Sequence, residues 1–262
     1  MKRIFCLILT FVLIFSLCAC GTNDATTGET TKIKFSQSLD ELKALEGKTV
    51  EMNGFMSMLS PLDGKLIYLM NIPLQSCPFC IPNTTTLSNT IAVTGKNLEY
   101  TSKPVKVVGT IEVGNFVDGY GYNYEFRIAN ATIVEMDEKE LSETMKVYYS
   151  LTENGYLDDV YQMCMYIDEV AYYEDYELTT DRILELGEIP YDRYEEIHKT
   201  VTSLNTSGDY DDFIALLEKT NETRLKINED IKNKNVENFT SYQDSSNTLY
   251  ELFTKFINKY EF

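Results

Sequence analysis

Cys77-Pro78-Phe79-Cys80 is the one stretch of this 262-residue sequence whose residue types and spacing point to specific chemistry. Two thiols separated by two residues have four possible states. Joined as a disulfide, they close a very short loop and stabilise by about 2 kcal/mol in the chain-entropy account. As a redox couple they need a helix N-terminus or a cation to lower the pKa of one thiol. As thiolates they supply half of a tetrahedral zinc shell. They can also remain free. The pair sits in a loop between Pro73 and Pro82, and Pro82 is poorly tolerated once a helix passes its first turn. A zinc shell lacks its second half, because there is no second Cys-x-x-Cys and the sole histidine, His198, is far along the chain. A structural disulfide is therefore the leading expectation, with the redox and metal readings open behind it.

The four residues resemble the Cys-Pro-aromatic-Cys of glutaredoxin-like proteins, which would imply thiol exchange at a helix N-terminus. The surrounding chain does not show the βαβ pattern that such a fold needs. Elsewhere catalysis has no foothold, with neither a Gly-rich phosphate loop nor a Ser-centred elbow nor a His-Glu zinc signature, so no catalytic residue and no enzymatic activity is expected. His198, among Glu195, Glu196 and Lys199, is expected to be solvated, and Cys164 to be a small buried hydrophobe. The tyrosines Tyr161, Tyr166, Tyr172, Tyr173 and Tyr176 suit either a core edge or a carbohydrate or peptide site, where an aromatic with a polar tip is favoured.

The elements that must position these residues fall into two groups. Ser38-Leu39-Asp40-Glu41 predicts a capped helix running to Glu46, with Gly47 as its stop. Five strand signals follow: Lys48 to Leu59, Leu66 to Ile72, Thr90 to Val93, Val105 to Val113 and Tyr124 to Val134. Asp63-Gly64 marks a hairpin turn, and Gly119 and Gly121 mark another. The spacing fits a small five-stranded antiparallel barrel of the OB type, with an open sheet or a sandwich as the alternatives. Gly54 and Gly109, in the similar phrases starting at Val50 and Val105, would let the first and fourth strands bend.

Beyond about Asp137 the pattern becomes helical. Glu138 to Ser150 is helix-prone, and Asn154-Gly155 breaks it. Leu157, Val160, Tyr161, Cys164, Asp168 and Ala171 share one face, with Asp168 interrupting its apolar stripe as an edge residue. Further helices are expected from Asp181, from Pro190 at a first turn, and after Ser207-Gly208-Asp209. Leu249, Leu252, Phe253, Phe256, Ile257 and Tyr260 define a last helix. The expected fold is α+β: the small barrel followed by an all-α helical bundle.

The N-terminus carries an address. Lys2 and Arg3 precede an apolar run from Ile4 to Leu17, which is short of the roughly 20 residues needed to span a bilayer. Leu17-Cys18-Ala19-Cys20 resembles the lipobox of bacterial prolipoproteins. That resemblance implies cleavage before Cys20, a covalent diacylglycerol on its thiol, and a membrane anchor on the extracytoplasmic face, with Cys6 and Cys18 lost. Two acyl chains suffice for stable anchoring. No other cofactor is expected. The expected divisions are a signal peptide over 1–19, the lipidated cysteine and a flexible tether over 20–35, the β domain over 36–137 and the helical bundle over 138–262.

The chain carries 23 basic and 41 acidic residues, a net charge of −18, so nucleic acid is excluded as a partner on electrostatic grounds. Gly54-Phe55-Met56, Pro61 to Lys65, Pro73, the Cys77–Cys80 motif, Pro82-Asn83 and Ile91-Ala92-Val93 resemble an uncharacterised family of exported OB-like bacterial domains over residues 45–136. The resemblance implies a fold and carries no activity. The functional expectation is a non-enzymatic envelope module that binds a protein, a glycan or a small ligand. Its competitor is an extracytoplasmic thiol-redox or metal-handling protein that uses Cys77 and Cys80. A transporter's solute receptor is disfavoured, because the two-lobed α/β pattern is missing.

Overall fold

A computed structural model describes residues 30–73, 87 and 89–262. The chain runs β1 (Thr31–Lys32), α1 (Leu39–Lys43), β2 (Thr49–Met56), β3 (Leu66–Met70), β4 (Thr90–Gly95), β5 (Val105–Val117) and β6 (Asn123–Glu135). It continues through α2 (Glu143–Glu153), α3 (Tyr156–Ala171), α4 (Thr180–Leu186), α5 (Tyr194–Leu204), α6 (Asp211–Asn233) and α7 (Gln243–Ile257). Short 3₁₀ turns precede α2 and α7.

The strands form one six-stranded mixed sheet in the order β1-β2-β3-β4-β6-β5, with β2 also pairing β5. This overturns the expected five-stranded antiparallel barrel followed by a bundle, although the molecule is α+β. Two pairings are parallel, β1 with β2 and β4 with β6. The second follows from strand direction. β3 runs against β2, β4 against β3, β5 against β2, and β6 against β5, so β4 and β6 point the same way and can only meet in parallel. Hydrophobic alternation reports which face a side chain takes and carries no information about which strands become neighbours.

The extra strand comes from chain that was expected to be tether. Thr31 and Lys32 are polar, but Ile33 and Phe35 just after them are buried to 4% exposure, and the Ile33 amide donates to the Glu51 carbonyl at 2.9 Å. Those two side chains hold the segment against β2.

Local signals shape the rest. Ser38 and Glu41 form the reciprocal capping box that starts α1, which ends at Lys43, short of Glu46. Asp63 accepts from the Lys65 amide at 2.8 Å and Gly64 takes φ +67°, making the turn before β3. Gly155, at φ +71°, separates α2 from α3. Pro190 does not open a helix, because α5 starts at Tyr194. The chain before Pro190 is held by Asn228 of α6, which accepts the Ile189 amide at 2.7 Å and donates to the Ile189 carbonyl at 2.9 Å.

One apolar core lies inside the sheet, with Val50, Met52, Ile67, Leu69, Val93, Val107, Ile111 and Ile128 packed under Leu42 of α1. A second gathers the helices, and it also takes in Phe55, Ile72 and Met136 from the sheet side. Sheet and helices therefore share buried surface. Among the described residues no helix is long and apolar enough to cross a membrane.

Candidate functional site

Two helical stripes face each other across a cleft of about 860 Å³. On α3 the stripe is Tyr161, Cys164, Met165 and Asp168, with Tyr172, Asp175 and Tyr176 just past the helix end. On α7 it is Ser246, Asn247, Tyr250, Phe253, Thr254 and Ile257. Steps of three and four residues place each set on one face. The more central positions, such as Val160 and Ile167 on α3 and Leu249 and Phe256 on α7, are fully buried, so the cleft runs along the outer edge of the helix pair. Its base is the Tyr161–Phe253 ring pair, with centroids 5.5 Å apart. Its rim is Tyr250, 73% exposed.

The end of α3 builds the wall. The Tyr172 amide still bonds the Asp168 carbonyl, and then the chain turns sharply, with Glu177 at φ +56°. Gln243, at the start of α7, donates to the orphan carbonyl of Ala171 at 3.3 Å. The turn folds Tyr176 back, so that its hydroxyl donates to Asp168 Oδ2 at 2.7 Å. The Ser246 hydroxyl donates to Asp168 Oδ1 at 2.5 Å, and the Tyr172 hydroxyl donates to Asn247 Oδ1 at 3.1 Å. Three side-chain hydrogen bonds thus fix the cleft's polar groups. The bond to Asp168 pushes the Tyr176 phenol up to about 12, because ionising it would place a second negative charge beside the carboxylate.

Asp168, expected as an edge residue, is the half-buried acceptor at the centre of this network. Asp175 is the other acid of the lining. Among the described residues neither takes part in a salt bridge, and the lining contains no Lys, Arg or His. Cys164 closes the deep side, its sulfur 3.7 Å from the Thr220 hydroxyl of α6. Burial pushes its thiol up to about 11, so it stays protonated at neutral pH.

The other residues singled out from the sequence do not converge here. His198 is not simply solvated; its Nε2 lies 2.8 Å from Glu218, across the seam between α5 and α6, and its ring lies beside Tyr194. Tyr166 and Tyr173 are outside the cleft lining. Cys20, Cys77 and Cys80 lie outside the described residues, so neither the lipidation site nor the thiol motif is placed. Among the described residues no group of three or more His, Cys, Asp or Glu side chains is arranged to hold a metal ion.

The sequence placed Tyr161, Cys164 and Asp168 on one helical face and Phe253 and Ile257 on another, without bringing the two faces together or singling out Ser246, Asn247 and Tyr250. Ser246, Asn247 and Tyr250 belong to a polar stretch that reads as a solvent-facing surface. The available signal was the continuation of the Phe253 and Ile257 stripe backwards by three and four residues.

No family model matches the chain, and no curated protein matches it. Among solved structures it is similar to the crystal structure of a DUF3299 family protein from Pseudomonas aeruginosa PAO1. The identity is 18%, the match covers 36% of this chain and 66% of that one, just short of two thirds, and the TM-score is 0.27. A likeness of that extent carries no argument about architecture or activity.

Proposed function

We propose that this chain is a non-enzymatic binding module, held at the extracytoplasmic face of a membrane by a lipid on Cys20, and that it takes a small ligand in the cleft between α3 and α7. The cleft carries the reading. Its volume of about 860 Å³ falls within the range of roughly 300–1,000 Å³ usual for small-molecule sites. Its walls also have the usual composition of such sites, aromatic and apolar surface with a few fixed polar groups. The leader and its small-residue cysteine support the anchor, and mass spectrometry of protein extracted from its native membrane tests it. Intact Met1 with an unmodified Cys20 would refute it.

The cleft has a direct test, because the chain contains no tryptophan. Tyr250→Trp places a single indole at the rim. Its emission should shift saturably with one class of soluble sugars, amines, amino acids or short peptides, and the shift should vanish when Thr254→Phe fills the mouth. A Tyr250→Trp signal that no compound moves, or that Thr254→Phe leaves intact, removes the cleft as the binding site.

A second reading keeps Cys77 and Cys80 as a thiol-redox or metal-handling pair. It is favoured by two thiols at two-residue spacing in a chain with six cysteines, two of them in the leader. Changing both to Ser separates the readings. A folded variant with every binding phenotype intact eliminates the thiol role.

A further inference from the structure

We infer that the cleft selects an organic ammonium ion, a positively charged nitrogen carried on a small apolar body; this rests on the binding role proposed above. Three observations point the same way. The first is charge. Asp168 and Asp175 line the cleft with no cationic side chain among the lining residues, and neither is neutralised by a salt bridge among the described residues. An anionic ligand would meet uncompensated repulsion, whereas a cation supplies the missing partner.

The second is the direction of the hydroxyl protons. Ser246 and Tyr176 both donate to Asp168, and Tyr172 donates to Asn247. Those three groups therefore turn lone pairs, rather than protons, toward the cleft. The Asp168 carboxylate has about four acceptor positions and uses two, so it can still accept from a bound N–H or lie against a charged methylammonium. The Asp168 end of the cleft therefore presents acceptors to a bound N–H or ammonium group. The third is the aromatic surface. Tyr161, Phe253 and Tyr250 line the cleft, and aromatic rings attract a cation that sheds its water on entry.

The test is calorimetry on the full-length protein with choline, n-butylammonium, the uncharged choline isostere 3,3-dimethylbutan-1-ol, and N-acetylglucosamine. At least one of the two ammonium probes should bind about tenfold or more tightly than the uncharged isostere. Asp168→Asn should lose about tenfold of that affinity, and Tyr250→Ala about threefold. Circular dichroism checks that each variant is folded. If Asp168→Asn is not, Asp175→Asn and the exposed Tyr250→Ala carry the test. An isostere or sugar that binds the cleft as tightly as the ammonium probes overturns the charge selection and leaves the cleft a binding site. Ammonium binding that neither an Asp change nor Tyr250→Ala weakens also overturns it. If no probe of either charge binds, the inference falls, and the binding role of the cleft is then decided by the Tyr250→Trp titration.

Discussion

The Tyr148 hydroxyl donates to the Pro73 carbonyl across 2.9 Å, tying helix α2 to the chain that leaves β3. Tyr148 has no exposed surface, and its ring lies 5.8 Å from that of Phe55 on the sheet side and 5.1 Å from that of Tyr260 beyond α7. One side chain therefore bonds both layers. Tyr148→Phe keeps the ring and leaves the carbonyl unpaired, so it should cost about 1–2 kcal/mol. Tyr148→Ala also opens a cavity between the layers and should cost about 3–5 kcal/mol. Urea unfolding followed by far-UV circular dichroism measures both. If the two variants differ by less than about 1 kcal/mol, the ring is not the link.

Gly54 and Gly109 are required by close backbone approach. A Cβ on Gly54 would lie 2.5 Å from the Met70 carbonyl oxygen, and one on Gly109 would lie 2.7 Å from that of Ala129. Neither carbonyl can withdraw without breaking the strand pairing around it, so alanine at either position should destabilise by about 2–3 kcal/mol. Gly119 is the control: a Cβ there meets nothing within 4 Å, and its φ lies outside the left-handed region. Gly119→Ala should be neutral, or stabilising by up to about 1 kcal/mol, because it restricts the unfolded chain. Thermal melts of the three variants rank them, and an ordering with Gly119→Ala worst would contradict this account.

Those same two glycines show what the sequence could and could not reveal. Their strands were legible from alternation, as were the capping box at Ser38 and the turn at Asp63-Gly64, because each of these signals is local. Sheet order was not legible. The parallel meeting of β4 and β6 depends on directions fixed by four other pairings, and β1 depends on Ile33 and Phe35 finding a pocket. The cleft was half legible for a related reason. Tyr161, Cys164 and Asp168 share a face by arithmetic, but only tertiary packing sets Ser246 and Tyr250 opposite them. The thiol motif and the lipid site are the reverse case, read from sequence and lying outside the described residues.

Asp118, at the tip of the β5–β6 hairpin, supplies a pH-dependent contact. Burial would raise its carboxyl, but hydrogen bonds from the Tyr68 hydroxyl at 2.6 Å and from backbone amides, including Tyr120 and Tyr122, outweigh that and hold it below the ordinary range. A folded-state value below the unfolded one, which is about 3.9, stabilises at higher pH. That contribution is lost as pH falls from about 4 through the depressed value. Tyr68→Phe removes one donor, so the Asp118 carboxyl should titrate at higher pH and this contact should weaken the acid limb of stability less. A ¹³C titration of the Asp118 carboxyl reads the shift. An unchanged midpoint would mean that the tyrosine is not what holds it down.

Cys164 offers a chemical check on the cleft. Its thiol is pushed up to about 11 by burial, so at pH 8 roughly one molecule in a thousand carries the thiolate that an alkylating agent needs. Iodoacetamide should therefore modify Cys164 about a hundredfold or more slowly in the folded protein than in urea, with modification followed by peptide mapping so that the other thiols do not interfere. Because the sulfur forms the deep side of the cleft, a ligand seated above it should slow the reaction further. Tyr250→Ala, which opens the rim without touching the thiol's own surroundings, should weaken that protection. Rapid labelling of the folded chain would mean that the helices part here far more often than a packed seam allows. Protection that persists unchanged in Tyr250→Ala would place the ligand somewhere other than against the aromatic rim.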